Sequence, residues 1–254
     1  MKIFGRIVML SAAAVVTVGL SGCVDDNGAN GNGGGGGSVE SVVIGGKKWM
    51  KENLNVKTNE SWCYGEGGKV FVGFDDDGRD IFKTLSSSEI QANCNKYGRL
   101  YTWAAAKKAC QSIGWRLPSR ADWDHLAQSV GGTKDVGDGF GDSYRWNDAG
   151  GKLKSKSGWD DICEKRGDDG ECSEWVSGNG TDNFDFSALP GGVRNPDGSY
   201  YYVGKYGFWW TATEYGNGSA YDLYMRSEVD WVDVFLNVFD PVKSAGISVR
   251  CIKD

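Results

Sequence analysis

The sequence predicts an α+β domain, and three observations carry the prediction. Two amphipathic helical segments stand in the first half of the chain. After Gly132 come short β-like runs separated by glycine turns. Six cysteines besides Cys23 form an even set suited to an oxidising compartment. Helices first and antiparallel strands afterwards argue against a parallel sheet, where the two would alternate.

Taken in order, the N-terminus has Lys2 and Arg6, an apolar run from Ile7 to Leu20, and then Leu20-Ser21-Gly22-Cys23. This is the pattern of an export signal over residues 1–22, and the run is too short to cross a hydrocarbon core of ~30 Å. Cys23 is expected to become the lipidated first residue of a bacterial lipoprotein. Val24 in place of Asp would permit passage to the outer membrane. Asp25 to Ser38, "DDNGANGNGGGGGS", has nothing to bury and reads as a flexible coil of ~20 Å reach. Residues 23–41 are therefore assigned to the lipidated Cys and tether, and 42–254 to one domain without internal repeats.

The first helix is "TWAAAKKACQS", Thr102 to Ser112, with Trp103, Ala106 and Cys110 at helical spacing. The second is "SRADWDHLAQSV", Ser119 to Val130. It opens with an N-cap serine after Pro118 and stops at Gly131-Gly132. The strand candidates are "YYYVG", "WWTAT", "AYDLYM", "WVDVFL" and "ISVRCI".

The formal net charge is −6, and it becomes −8 (26 basic, 34 acidic) once the signal with Lys2 and Arg6 is removed. Such a chain repels nucleic acid and anionic headgroups, so neither is an expected partner. There is one histidine, His125, and no C-x-x-C, so neither a zinc site nor any other cofactor is expected. Asp182 and Asp185 are too ordinary in an acidic protein to mark a glycosidase.

The ordered segments "IGGKKWMKENLN", "WCYG", "NCNKYGRLYTWAAA", "GWRLPSRADWDHL", "GKLKSKSGW", "GTDNFDFSALPGGVRNPDGSYYYVG", "FWWTATE" and "ISVRCIKD" run from Ile44 to Asp254, and the likeness they carry covers roughly residues 43 to 253. They resemble the Fibrobacter succinogenes major paralogous domain family, whose members are typically exported or lipid-anchored surface proteins without a defined molecular activity. A more remote resemblance concerns architecture. A two-helix unit carrying a Cys, a "GWRLPS" link and a terminal "SVRC" resemble the C-type-lectin-like fold and the related formylglycine-generating-enzyme fold. That resemblance implies a disulfide-stapled domain with Cys110 paired to Cys251, leaving Cys163 with Cys172 and Cys63 with Cys94. The residues alone leave the connectivity open.

The resemblance does not carry over a catalytic or metal site. "WND" (Trp146 to Asp148) and "NPD" (Asn195 to Asp197) stand in the reverse order of a lectin calcium site, and the second is a turn signal in its own right. "DDDGRD", Asp75 to Asp80, reads as an acidic solvated hairpin loop, its calcium binding left open. Formylglycine-generating enzymes use a redox cysteine pair near the domain end, where this chain has Cys251 alone.

Aromatic residues make up 13% of the chain. Trp49, Trp103, Trp115, Trp123 and Trp210 are expected in the core. Tyr200-Tyr201-Tyr202, Trp209, Tyr215, Tyr221, Tyr224 and Trp231 are the surface candidates, of which Trp209, Tyr215, Tyr221, Tyr224 and Trp231 are taken as ligand contacts. Strand alternation puts Trp209 and Trp210 on opposite faces, one expected in solvent and one in the core. The resulting expectation is a non-enzymatic binding domain for a glycan or an envelope protein. It would be lipid-anchored to the outer membrane, at the cell surface or in the periplasm. The alternatives are an enzyme of the formylglycine-generating type with altered chemistry, or a structural envelope protein.

Overall fold

A computed structural model of the protein describes residues 39–136, 143–216, 218–235 and 242–254. The expected export signal over residues 1–22, Cys23 and the expected tether as far as Ser38 lie outside the described residues. The compact unit runs from Val39 to Asp254. No helix among the described residues is long and apolar enough to cross a membrane.

Strands β1 (Ser41–Ile44) and β2 (Lys47–Met50) form a hairpin over Gly45-Gly46. Both glycines have positive φ, which a two-residue hairpin turn of this hand requires. β3 (Ser61–Trp62) precedes a second hairpin of β4 (Lys69–Phe74) and β5 (Asp80–Lys83), whose loop is the acidic segment. Helix α1 (Ser87–Tyr97) follows, then β6 (Leu100–Tyr101), α2 (Trp103–Ser112) and α3 (Arg120–Ser129). Short strands β7 (Thr133–Asp135) and β8 (Tyr144–Asn147) lead to a single helical turn, α4 (Gly150–Leu153). A disulfide hairpin of β9 (Ile162–Arg166) and β10 (Cys172–Val176) comes next, then β11 (Val193–Arg194) and β12 (Ser199–Tyr201). The long strands β13 (Tyr206–Tyr215) and β14 (Ser219–Arg226), then β15 (Val232–Phe235) and the terminal β16 (Ile252–Lys253), complete the order.

The α+β class stands. The expected helices appear as α2 and α3, with Thr102 and Ser119 as their N-caps and a reciprocal capping box between Ser119 and Asp122. Helix α1 is an addition to the sequence reading. It buries only Cys94 and Tyr97, so its apolar stripe is faint, yet Ser86 and Glu89 form a full capping box. Strands also occur before Gly132, and one pair departs from the antiparallel expectation: β12 runs parallel to β4, with Ser199 opposite Lys69. Among the described residues the strands pair as β1-β2-β16, β3-β6, β10-β9, β11-β12-β4-β5 and β13-β14-β15-β8-β7.

Three disulfides tie these pieces: Cys63 to Cys94, Cys110 to Cys251, and Cys163 to Cys172. Closing the 141-residue separation between α2 and the chain end removes the most freedom from the unfolded chain, ~5 kcal/mol in a loop-entropy estimate. The local clasp across nine residues contributes less.

Strand β13 divides the core. Trp209 faces a cluster with Trp49, Trp123, Leu223 and Met225, whereas Phe208 and Trp210 face another with Trp103, Ala106, Tyr101 and Val249. Gly207 is required here because a Cβ would collide with the Trp209 ring.

Three cations are buried among the described residues, Arg99, Lys154 and Arg250, and the last two are held mainly by backbone carbonyls. Arg250 donates to the carbonyls of Met50, Lys51, Phe186 and Ser187 and to Asn53 Oδ1. Three of the left-handed non-glycine residues, Asp182, Asp185 and Ser187, lie in the segment that supplies the Phe186 and Ser187 carbonyls. Asp182 holds that turn by accepting from the Ser187 N–H and hydroxyl, both at 2.7 Å. Lys154 donates to the carbonyls of Gly178, Arg226, Ser227 and Val229 at 2.9–3.3 Å. Burial lowers its pKa, and the nearby Asp230 carboxylate works in the opposite direction.

Candidate functional site

The opposite facing of Trp209 and Trp210 is as alternation requires, but the expectation of a solvent-exposed Trp209 is overturned. Both rings are fully buried. The Trp209 N–H donates to Asn53 Oδ1 at 2.9 Å and the Trp210 N–H to the Tyr101 carbonyl at 2.7 Å. β13 is covered by a packed layer on each side, so alternation separates two cores rather than core and water. Tyr221 is corrected with it. It shares the inner face with Leu223 and Met225, is 6% exposed and packs under Arg120.

Tyr215 is exposed but lies at the far end of β13, nine residues and roughly 30 Å from Tyr206, in edge contact with Tyr221. Tyr224 and Trp231 are half-buried on the other face of the sheet, beside Tyr206 and Arg226. Trp231 lies near the guanidinium groups of Arg145 (5.0 Å) and Arg226 (5.5 Å), and its N–H donates to Asp233 at 3.0 Å.

A groove of about 560 Å³ opens where the β4–β5 hairpin meets β12 and the start of β13. Its aromatic wall is a chain of touching rings. Phe74 meets Phe71 at 5.1 Å, Phe71 stacks on Tyr201 at 5.3 Å, Tyr201 meets Tyr202 at 5.7 Å, and Tyr202 meets Tyr206 at 5.0 Å. Tyr206 in turn contacts Tyr224 at 6.4 Å, which brings that candidate to the end of the same surface. Phe74 is 66% exposed and Val72 50%.

The backbone explains why consecutive tyrosines share this surface. Tyr200 points inward to Tyr64, with its hydroxyl donating to the Glu66 carbonyl at 2.6 Å, so Tyr201 points outward. Tyr202 would then turn in, but it has φ +66° and leaves the strand alternation. A left-handed tyrosine is a costly conformation, held here by the surrounding turn.

The groove's charged groups are Asp80, Glu228 and Lys205, all at its exposed rim. Burial pushes the Tyr201 and Tyr202 hydroxyls above the ordinary tyrosine range, so they face a ligand as neutral groups that both donate and accept. Tyr201 reaches Asp80 at 3.3 Å. Sequence reading named Tyr201 and Tyr202 but missed Phe71, Val72 and Phe74. The available signal was "VFVGF", apolar at both strand parities directly before a charged loop.

Other motifs have structural roles. Trp146 of "WND" is buried and donates to Asp124 at 2.9 Å, and Tyr144 donates to the same carboxylate. In the acidic loop Asp75 accepts from the Asp77 and Arg79 N–H groups, and Arg79 pairs with Asp77 at 2.9 Å. Among the described residues no three His, Cys, Asp or Glu side chains are grouped to hold a metal. His125 lies on the exposed side of α3, its Nε2 2.7 Å from the Gly45 carbonyl.

The molecule is thus a disulfide-tied α+β domain that presents an open aromatic groove. The sequence model of the Fibrobacter succinogenes major domain matches residues 42–253, and the chain belongs to that family. Comparison with curated proteins and with solved structures gave no match.

Proposed function

We propose that this is a cell-envelope lipoprotein whose domain binds a neutral glycan without chemically changing it. The observation that carries this reading is the continuous half-exposed ring surface from Phe74 to Tyr206, edged by neutral hydroxyls. Aromatic faces pack on the apolar faces of pyranose rings while hydroxyls satisfy the sugar edges. The rim holds two carboxylates against one lysine, which disfavours polyanions. A lectin-like arrangement is consistent with β16 pairing to β2 and with Cys251 tied to α2, which join the two ends of the domain.

Binding of the purified protein to an array of neutral and uronate-bearing oligosaccharides tests the proposal. Phe74→Ala and Tyr201→Ala should each weaken retention of neutral glycans at least tenfold, with no release of reducing ends. Capture of an envelope protein with no glycan retained would replace this reading with protein binding. For the anchor, Cys23→Ser should leave the membrane fraction, and unchanged fractionation would defeat it.

A further inference from the structure

We infer that Trp175 forms a second platform of the same site, so that the ligand is a polymer engaged along its length and not a terminal sugar. The inference rests on the groove reading above. Trp175 is 62% exposed, whereas every tryptophan of the core is enclosed. It stands on the β9–β10 hairpin among exposed polar neighbours, Ser173 and Glu174 on its own strand and Glu164, Lys165 and Arg166 on the other. Among the described residues Trp175 belongs to none of the buried clusters.

A second concavity of about 680 Å³ is lined by Trp175, Asp160, Asp161 and Lys205. Lys205 also lines the aromatic groove, so the two hollows meet at that residue. The junction is fixed by backbone hydrogen bonds, from Asp160 N–H to the Gly204 carbonyl at 2.8 Å and from Ser227 N–H to the Lys205 carbonyl at 2.9 Å. Trp175 is itself in register with Cys163, one end of the clasp to Cys172. A ring held on a cross-linked hairpin loses little further freedom when a ligand arrives, which favours binding.

Charge narrows the occupant. Asp80, Glu228, Asp160 and Asp161 edge the combined surface with Lys205 as the cation between them. A polyanion crossing this rim meets net repulsion, whereas a neutral pyranose chain offers apolar faces to both platforms and hydroxyls to the rim. Linking two weak contacts on one chain raises affinity steeply once the chain is long enough to reach both.

Calorimetric titration with neutral gluco-, xylo- and manno-oligosaccharides of two to eight units, and with a polyuronate control, decides the matter. For the unaltered protein, affinity for a bound series should climb at least tenfold between short and long members. Trp175→Ala should remove that climb while changing the affinity for dimers less than twofold, and Tyr201→Ala should weaken short and long members alike. Cys163→Ser with Cys172→Ser should lose part of the climb. If Trp175→Ala binds long chains as the parent does while Tyr201→Ala fails, the second platform is wrong and the groove reading survives. An equal loss on dimers and octamers in Trp175→Ala also overturns it. If no neutral oligomer binds the parent, or the polyuronate binds better, the groove reading falls and takes the inference with it.

Discussion

The segment "SYYYVGKYGFWW" contains two regions of similar composition and opposite fate. Tyr201, Tyr202 and Tyr206 stand half-exposed along a groove, whereas Phe208, Trp209 and Trp210 are enclosed. Both stretches are aromatic and both begin in extended chain. The difference is the number of layers packed against them. β13 has the Trp123 and Trp49 cluster on one face and the Trp103 and Tyr101 cluster on the other, while the outward ring of β12, Tyr201, meets Phe71 and Phe82 of the adjacent β4–β5 hairpin and the neighbouring Tyr202, and belongs to none of the buried clusters. An aromatic ring becomes a contact surface where the second layer is missing, and the local strand pattern does not report that.

The largest test of this contrast is truncation within β13. Trp209→Ala and Trp210→Ala should each cost about 3–5 kcal/mol in chemical denaturation, because each removes a packed ring and one of the two donors to a buried acceptor, Asn53 Oδ1 or the Tyr101 carbonyl. A Trp209→Ala protein as stable as its parent would mean that one side of β13 is open after all.

Next in size is Arg250. Arg250→Met keeps much of the volume but leaves the buried Met50 and Phe186 carbonyls, the partly buried Lys51 and Ser187 carbonyls and Asn53 without the guanidinium, and a loss of about 3–5 kcal/mol is expected. Retention of parental stability would show that this cage is not part of what holds β13 in place.

Asp222 sharpens the comparison from the opposite direction. It is fully buried directly across from Trp210, and among the described residues neither carboxylate oxygen has a hydrogen-bond partner. Burial pushes its pKa up to about 8. The folded protein therefore holds a proton that the unfolded chain releases above about pH 4, so this group's contribution is most favourable below pH 4. It is progressively lost as pH rises through about 8, over a span on the order of 5 kcal/mol. Asp222→Asn should match the parent near pH 4 and exceed it by a few kcal/mol at pH 8 in urea titrations. A difference that does not change with pH would mean the carboxyl is not buried and neutral.

The smallest stability effects belong to the groove. Phe74→Ala and Trp175→Ala remove exposed rings and should shift the melting temperature by no more than a few degrees. A large fall in either would show that the ring is core, and the contrast between the two regions would collapse.

Much of the local structure was legible in the sequence. Thr102 and Ser119 mark helix starts because their oxygens accept from backbone N–H groups three residues on, and Gly131-Gly132 marks a stop. Gly45-Gly46 turns a hairpin for a reason contained in two residues. Capping likewise announced α1 through Ser86 and Glu89, although its weak apolar stripe hid it. Long-range facts were legible only in part. The even cysteine set indicated disulfides and left their pairing open; the pairing that the fold resemblance implied is the one found, with the chain ends brought together at β2, β16 and α2.

Features that depend on neighbours along the chain are settled locally: turns, caps, strand parity, the opposed directions of Trp209 and Trp210, and the family motifs. The tertiary structure decided which of those directions is covered. It buried Trp209 and Tyr221, gathered Phe74, Tyr201 and Tyr206 into one groove, and set Arg250 among carbonyls from two distant segments. Parity is fixed within two residues, but burial is a property of the layer that arrives from elsewhere in the chain, and no short stretch of sequence contains that layer.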